Sequence, residues 1–160
     1  MHQIEDTDMS RSSRREFCVH ASQAASFLAA GALLQACSGN STSPSGSTML
    51  PTINATVAAG AITLTIDAAS PLAAVGSAAL VQSTAGNALV SRTAQDTFTA
   101  VTAVCTHEAC TITGISGQIY VCPCHGSQFS ATGGVVKGPA ASPLRQFSTR
   151  FAGNVLTVTV

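Results

Sequence analysis

The feature that most constrains this 160-residue chain is a group of cysteine and histidine residues in its second half. After Cys37 the chain has four cysteines and two histidines, and all of them lie in CTHEAC at 105–110 and CPCH at 122–125. Thiolate sulfur and imidazole nitrogen are ligands that zinc and iron take in proteins. The two segments therefore predict a metal site built from two loops, one on each side of a hairpin.

The spacing C-x-H in the first segment and C-x-x-H in the second places one cysteine and one histidine in each loop. The matched donor set is two thiolates and two imidazoles, from Cys105, His107, Cys122 and His125. The remaining cysteines, one in each loop, can pair in an exported protein. Three interpretations stay open at this point: a structural zinc ion, two plain disulfides with incidental histidines, and a 2Fe-2S cluster with two cysteines on one iron and two histidines on the other.

The residues from Met49 onward form short segments in which apolar residues alternate, separated by Gly, Pro and Asn. Turns are predicted at Gly60 and at 85–87. This pattern is typical of an all-β sandwich or barrel. We therefore predict an all-β domain over 49–160, with strands within 55–67, 79–92, 96–105, 117–122, 133–138, 144–151 and 154–160. In 96–105 the alternation places Phe98, Ala100, Thr102 and Val104 on one face.

The first 37 residues have the features of an export signal. SRREF at 13–17 resembles the twin-arginine signal, and the apolar run at 18–36 is too often broken by polar residues for a typical membrane-spanning helix. LQAC at 34–37 is similar to a bacterial lipobox, which predicts lipidation of Cys37. Simple cleavage and an uncleaved helical anchor are the alternatives. We expect a periplasmic or cell-envelope protein that is tethered to the membrane.

Residues 38–48, SGNSTSPSGST, have the composition of a flexible tether between the signal and the domain. Charge is scarce, since 9% of the residues are charged and the formal net charge is zero. Half of the charged residues lie in the first 16 positions. The predicted domain therefore offers no basic surface for a phosphate backbone, and we expect no nucleic-acid partner.

CTHEAC at 105–110 and CPCHGSQF at 122–129 resemble the two cluster-binding loops of Rieske proteins, which read C-x-H-x-x-C and C-x-C-H-x-S. KGPAASPL at 137–144 resembles the proline loop of cytochrome bc-type Rieske subunits. The resemblance covers roughly residues 75–160. It implies a Rieske-type antiparallel β-sandwich or barrel with a small cluster-binding subdomain and one 2Fe-2S cluster per chain.

The resemblance also implies a role for each matching residue. Cys105 and Cys122 would hold one iron, and His107 and His125 the other. Cys110 and Cys124 would form a disulfide, Ser127 would hydrogen-bond a cluster sulfide, and Pro139 would lie in the covering loop. With two thiolates in place of four, the formal charge of the oxidised centre is zero, so its reduction potential rises. The second ring nitrogen of each histidine links electron transfer to proton transfer.

Two residues depart from the respiratory pattern. Phe129 stands where a tyrosine commonly hydrogen-bonds a ligand sulfur, which predicts a lower reduction potential. Glu108 stands where an apolar residue helps form the tip that docks at a quinol site, and a carboxylate there disfavours burial in an apolar pocket.

Two functions follow as expectations. The first is a small exported one-electron carrier that passes electrons between redox proteins, such as a cytochrome, and has no catalytic residues of its own. The second is a redox-enzyme subunit: the iron-sulfur subunit of a quinol–cytochrome c reductase or the small subunit of an arsenite-type molybdenum oxidase. Whether the chain acts as an enzyme therefore depends on its partners.

Overall fold

The computed structural model describes residues 46–160, which fold into strands joined by turns and loops, without a helix in that range. The strands are β1 (Thr48–Met49), β2 (Thr52–Asn54), β3 (Val57–Ala58), β4 (Ala61–Thr65), β5 (Ala78–Ser83), β6 (Gly86–Ala94), β7 (Thr97–Thr102), β8 (Gly114–Ser116), β9 (Ile119–Val121), β10 (Gln128–Phe129), β11 (Val135–Lys137), β12 (Gln146–Ala152) and β13 (Val155–Thr159). Residues 46–160 include no helical segment able to span a membrane. The predicted signal, the lipidation site Cys37 and most of the tether lie outside the described residues.

The strands form two sheets. The larger has eight strands in the order β2-β5-β6-β7-β12-β13-β4-β3, and the smaller has five in the order β1-β8-β9-β10-β11. Among the described strands, β2 and β5 are the one parallel pair, and the other pairs are antiparallel. The predicted all-β class is therefore confirmed.

The larger sheet curls on itself around one core. Side chains from β4 and β13, near one end of the strand order, pack with side chains from β5, β6 and β7. Phe98 and Phe151 add a tilted ring contact with centroids 4.8 Å apart. A sheet whose two ends share a core is a half-barrel, and this half-barrel is called the base below.

Strands β5, β6 and β7 are buried on both faces because they separate two cores. Successive residues of a strand point to opposite faces, and here Val90 and Ala100 face the half-barrel core while Leu89 and Val101 face a second core. The second core also contains Cys105, Cys122 and residues of the smaller sheet. The continuous apolar runs in these strands thus anchor the two cysteine-containing loops to the base.

The buried hydroxyls of Ser91 on β6 and Tyr120 on β9 are hydrogen-bonded to each other at 2.5 Å and connect the two sheets. Burial raises the pKa of Tyr120 to about 12, an effect that the hydrogen bond from Ser91 partly offsets. The phenol is therefore neutral at physiological pH and acts as a structural link between base and smaller sheet.

The seven predicted strand segments each overlap at least one strand, and the turn at Gly60 is confirmed. The predicted turn at 85–87 is wrong in its position, because the turn lies at 84–85 and β6 begins at Gly86. The alternation in 96–105 holds for the buried Phe98 and Ala100. It ends with β7, so Val104 is 45% exposed.

Candidate metal centre

The two cysteine-containing loops close in the same way. In the first, the N–H of Cys105 donates to the carbonyl of Cys110 at 2.8 Å, and its carbonyl accepts from the N–H of Ala109 at 2.9 Å. In the second, the N–H of Cys122 donates to the carbonyl of Ser127 at 2.8 Å, and its carbonyl accepts from the N–H of Gly126 at 3.0 Å. Both loops are therefore the same closed turn, which starts at a buried cysteine and places a histidine within it.

The fifth residue of each turn has a left-handed backbone, with φ of 55° at Ala109 and 72° at Gly126. A residue with a side chain adopts this conformation at a cost of roughly 1–2 kcal/mol, which glycine avoids. The first loop therefore retains strain that the second loop avoids.

This difference gives a prediction for stability. Gly126→Ala should lower the free energy of unfolding by about 1 kcal/mol, because a Cβ there meets no atom within 4 Å and only backbone strain is added. Thermal unfolding followed by circular dichroism measures the effect. Gly117→Ala, at another open left-handed glycine in the tight turn between β8 and β9, is the control and should cost a similar amount. A much larger loss at Gly126 alone would contradict simple backbone strain.

Cys110 and Cys124 form a disulfide that joins the two loops, with their Cα atoms 6.5 Å apart. The sulfurs of Cys110, Cys122 and Cys124 all lie within 4.8 Å of one another. Because two of the three are oxidised, only Cys122 can act as a thiolate ligand from this group. The disulfide thus stands beside the donor set and holds the loops together.

Cys105 and Cys122 are the free cysteines of the described residues, and they are 3% and 1% exposed. Burial is the main cause that raises the pKa of the Cys122 thiol, and the neighbouring Cys105 sulfur raises it further. The backbone N–H groups of Cys124 and His125 act in the opposite direction. Two buried sulfurs side by side, with N–H groups directed at one of them, form a donor pair that a cation would stabilise as thiolates.

His107 and His125 lie on the outer side of the two loops, with side chains 32% and 45% exposed. Their rings meet edge to face, with centroids 5.1 Å apart. The carboxylate of Glu108, 61% exposed, faces both of them: one oxygen lies 3.9 Å from Nε2 of His107 and the other 3.7 Å from Nε2 of His125. The Nε2 atoms thus face the carboxylate and solvent.

A third loop, residues 137–144, is attached to both cysteine-containing loops. The buried hydroxyl oxygen of Ser127 accepts a hydrogen bond from the N–H of Ala140 at 3.0 Å. The hydroxyl of Thr106 donates to the carbonyl of Ser142 at 2.6 Å. Ala140 belongs to the same buried core as Cys105 and Cys122. Pro139, which follows a cis peptide bond, is exposed.

The sequence does not indicate that Thr106 and Ala140 form hydrogen bonds between the third loop and the cysteine-containing loops. Each belongs to a segment singled out in the sequence, CTHEAC and KGPAASPL, but their bonding partners are distant in the chain. The contact between Glu108 and His125 was missed for the same reason. By contrast, the structure places Cys105 and Cys122 in one buried core, brings the rings of His107 and His125 to a centroid distance of 5.1 Å and forms the predicted disulfide.

Two buried thiols, two exposed imidazoles and a cross-linking disulfide on an all-strand base define a metalloprotein whose centre joins two loops. The family model of the Rieske [2Fe-2S] domain matches residues 66–148, which is just over half of the chain. The chain belongs to this family, whose domain binds a 2Fe-2S cluster, and the thiol and imidazole donors described above fit that group.

Curated relatives match a shorter stretch. The cytochrome b6-f complex iron-sulfur subunit of Chlorobaculum thiosulfatiphilum is 36% identical over 56 residues, which cover 34% of this chain and 31% of that protein. The subunit of the same name from Synechococcus sp. (strain JA-3-3Ab) is 42% identical over 52 residues, with coverage of 32% and 30%. That of Prochlorococcus marinus (strain NATL1A) is 55% identical over 38 residues, with coverage of 23% and 21%. The aligned part is thus less than a third of each relative's length.

Among solved structures, the chain is similar to the cyanobacterial plasma membrane Rieske protein of Synechocystis PCC 6803, with 33% sequence identity and a TM-score of 0.48. The match covers 52% of this chain and 86% of that one. A chain in the complex of reduced oxygenase and oxidized ferredoxin of carbazole 1,9a-dioxygenase has 27% identity and a TM-score of 0.49. This second match covers 61% of this chain and 92% of that one.

Proposed function

We propose that Cys105 and Cys122 hold one iron of the cluster and that His107 and His125 hold the other. The observation that carries this assignment is the separation of donors: both thiols are buried, whereas both imidazoles are on the outer surface with Nε2 turned outward. That orientation leaves Nδ1 of each ring for the iron. When bound, the cluster supplies reversible one-electron oxidation and reduction.

The protein residues shape the site around that chemistry. The disulfide between Cys110 and Cys124 fixes the separation of the loops, and the core that contains both thiols excludes water from the inner side. The exposed imidazoles form the edge closest to a partner. An electron would therefore enter and leave through the histidine side, where residues 46–160 leave both imidazoles exposed.

Ser127 is proposed to donate a hydrogen bond to a cluster sulfide. Its oxygen is already the acceptor for the N–H of Ala140, and a hydroxyl group has one proton of its own to donate. Residues 137–144, with Pro139, are proposed to cover the cluster, since hydrogen bonds hold this loop against both cysteine-containing loops.

At the level of the cell, we propose an exported carrier that is tethered outside the cytoplasmic membrane and passes single electrons between redox proteins. The support is the SRREF and LQAC segments, together with a disulfide, which persists in oxidising compartments. The exposed carboxylate of Glu108 supports a polar partner surface, because burying it in an apolar pocket would be costly.

The tether can be tested by fractionation. Cys37→Ser should move the full-length protein from the membrane fraction to the soluble periplasmic fraction, while the cluster signal in electron paramagnetic resonance stays the same. Cys18→Ser is the matched control and should leave the protein with the membrane. Membrane retention of the Cys37 variant would contradict lipidation at that residue and favour an uncleaved anchor.

The iron-sulfur subunit of a quinol–cytochrome c reductase is the second candidate, because the curated relatives are named as subunits of cytochrome b6-f complexes. Co-purification with b-type heme and quinol-dependent reduction would support it. The molybdenum-oxidase alternative stays a prediction of the sequence.

The reduction potential provides a further prediction. Phe129 is fully buried in the same core as Cys105 and Cys122. Phe129→Tyr should raise the midpoint potential by tens of millivolts, on the order of one weak hydrogen bond to a ligand sulfur. Protein-film voltammetry measures the shift, with Phe147→Tyr, at a half-buried ring on β12, as the control. An unchanged or lower midpoint potential in Phe129→Tyr would contradict the interpretation that Phe129 lacks a hydrogen bond to a ligand sulfur.

A further inference from the structure

A cleft of about 300 Å³ lies beside the first cysteine-containing loop, where β6 begins, β7 ends and β12 begins. Backbone hydrogen bonds hold its floor: the N–H of Thr102 donates to the carbonyl of Arg145 at 2.8 Å, and the N–H of Ala103 donates to that of Asn87 at 2.9 Å. Val104, which directly precedes Cys105, lines the cleft and is 45% exposed. The cleft is therefore a fixed part of the surface at the cluster end of the domain.

Arg145 places a positive charge in this cleft and holds it in one orientation. Its guanidinium carbon lies 4.6 Å from the centroid of the Phe147 ring, and that ring is half-buried and packs against the half-barrel core. Stacking covers one face of the planar guanidinium and leaves the N–H groups along its edge able to bind a carboxylate with two hydrogen bonds. Within residues 46–160 both ion pairs involve Glu108, so Arg145 has no carboxylate partner there.

The residues around the guanidinium favour an acidic side chain as its partner. Asn87 contributes an amide donor, and the hydroxyl oxygen of Thr102 accepts from the N–H of Val104 at 3.3 Å and so keeps its own proton to donate. Lys137, at the start of the third loop, is a second exposed cation with no carboxylate partner among the described residues. Sites for small molecules and cofactors span about 300–1,000 Å³. A cleft at the lower end of that range fits a side chain better than a cofactor.

We propose that this cleft binds a carboxylate side chain on the surface of a redox partner protein, with Arg145 as the residue in direct contact. The inference rests on the proposed function, in which the chain passes electrons between proteins, and it adds the charge of the partner's docking surface. Complementary charge speeds association and orients the partner, here beside the loop that begins at Cys105. Phe147 acts through Arg145 and is a positioning residue.

The test follows oxidation of the reduced, full-length, cluster-containing protein by stopped-flow absorbance. Tris(oxalato)cobaltate(III) is an anion that presents carboxylate oxygens, and tris(phenanthroline)cobalt(III) is a cation. Each takes one electron from the cluster, and its Co(III) becomes Co(II). Arg145→Gln should lower the rate constant with the anion about threefold to fivefold, the size expected for one exposed ion pair. Arg145→Lys should recover only part of the rate, because an ammonium group lacks the planar pair of donors.

Arg150→Gln is the matched control. Arg150 is another exposed arginine on β12, and its replacement changes the net charge by the same amount. Its rate constant with the anion should stay close to that of the wild type, and no variant should react more slowly than the wild type with the cation. Equal decreases in Arg145→Gln and Arg150→Gln would overturn the proposal, because net charge alone would then explain the rates.

A second measurement locates the bound anion. Tris(oxalato)chromate(III) has the charge and shape of the cobalt anion, and its paramagnetic Cr³⁺ broadens the resonances of nearby amides in the oxidised protein. Broadening should be strongest at Gly86 and Phe147, should be lost in Arg145→Gln and should persist in Arg150→Gln. Broadening centred on other residues, or equal broadening in the two variants, would overturn the proposal.

The cleft and the proposed function fail in different ways. If the reduced protein shows the resonance of a histidine-ligated cluster but Arg145→Gln reacts with the anion like the wild type, only the cleft is refuted. If that resonance is absent before any oxidant is added, the ligand assignment is refuted, and the broadening by Cr³⁺ still decides whether the cleft binds the anion.

Discussion

Replacing both Cys110 and Cys124 by serine is expected to lower the free energy of unfolding by about 3 kcal/mol. The two cysteines are 14 residues apart in sequence, and closing a loop of that length in the unfolded chain removes entropy of about this size. For a domain of this size the melting temperature should fall by roughly 10–20 °C. The effect is large because the small apolar core behind the site has little stability to spare.

The double variant is preferred to either single variant. Removing one partner would leave a free thiol within 4.8 Å of Cys122, where it could compete as a ligand. Thermal unfolding of the cluster-containing protein, monitored by circular dichroism and by cluster absorbance, measures the loss. Wild-type protein treated with a reductant that opens the disulfide is the control and should show a similar decrease. An unchanged melting temperature in the double variant would mean that the loops are held by other contacts.

Ser127→Ala is expected to lower the midpoint potential on the order of 65–130 mV. A hydrogen bond to a charged acceptor is worth about 1.5–3 kcal/mol, and for a one-electron couple a tenfold change in the equilibrium constant corresponds to about 59 mV. Donation from the hydroxyl stabilises the reduced, more negative centre, so its loss makes reduction harder. The variant also leaves the buried N–H of Ala140 without its acceptor, which should cost about 1–3 kcal/mol of stability.

Ser91→Ala separates the two effects. Ser91 is also a buried serine with a hydrogen-bonded hydroxyl, but its partner is Tyr120. This variant should lose stability with little change in potential, as measured by protein-film voltammetry and thermal unfolding. A similar fall in potential in both variants would show that loosening of the core, rather than a hydrogen bond to the cluster, sets the potential at Ser127.

Local patterns in the sequence predict much of the fold. Alternation identifies β4 and β13, because one face of each packs in a core and the period of a strand is two. The two-residue strands β1 and β10 were not predicted, since so short a segment has no period. The position of the turn before β6 was wrong because Gly86 has a positive φ of 109° yet is paired within the strand.

The sequence predicts the parts of the site that depend on residues close together in the chain. It does not predict contacts between residues that are distant in the chain. The types and spacing of Cys105, His107, Cys122 and His125 predict a two-loop metal site directly. The bond from Thr106 to Ser142 joins residues 36 positions apart, and no pattern of spacing indicates it. The reach of Glu108 to His125 likewise depends on how the two turns face each other, which only the folded chain shows.

The central claim is that two histidines and two cysteines hold the cluster. Pulsed electron paramagnetic resonance of the reduced protein, with ¹⁵N-labelled histidine, tests it most directly. The assignment predicts an average g-value below that of a four-thiolate cluster, together with two strong ¹⁵N couplings from His107 and His125. A four-thiolate g-value without histidine couplings would contradict it.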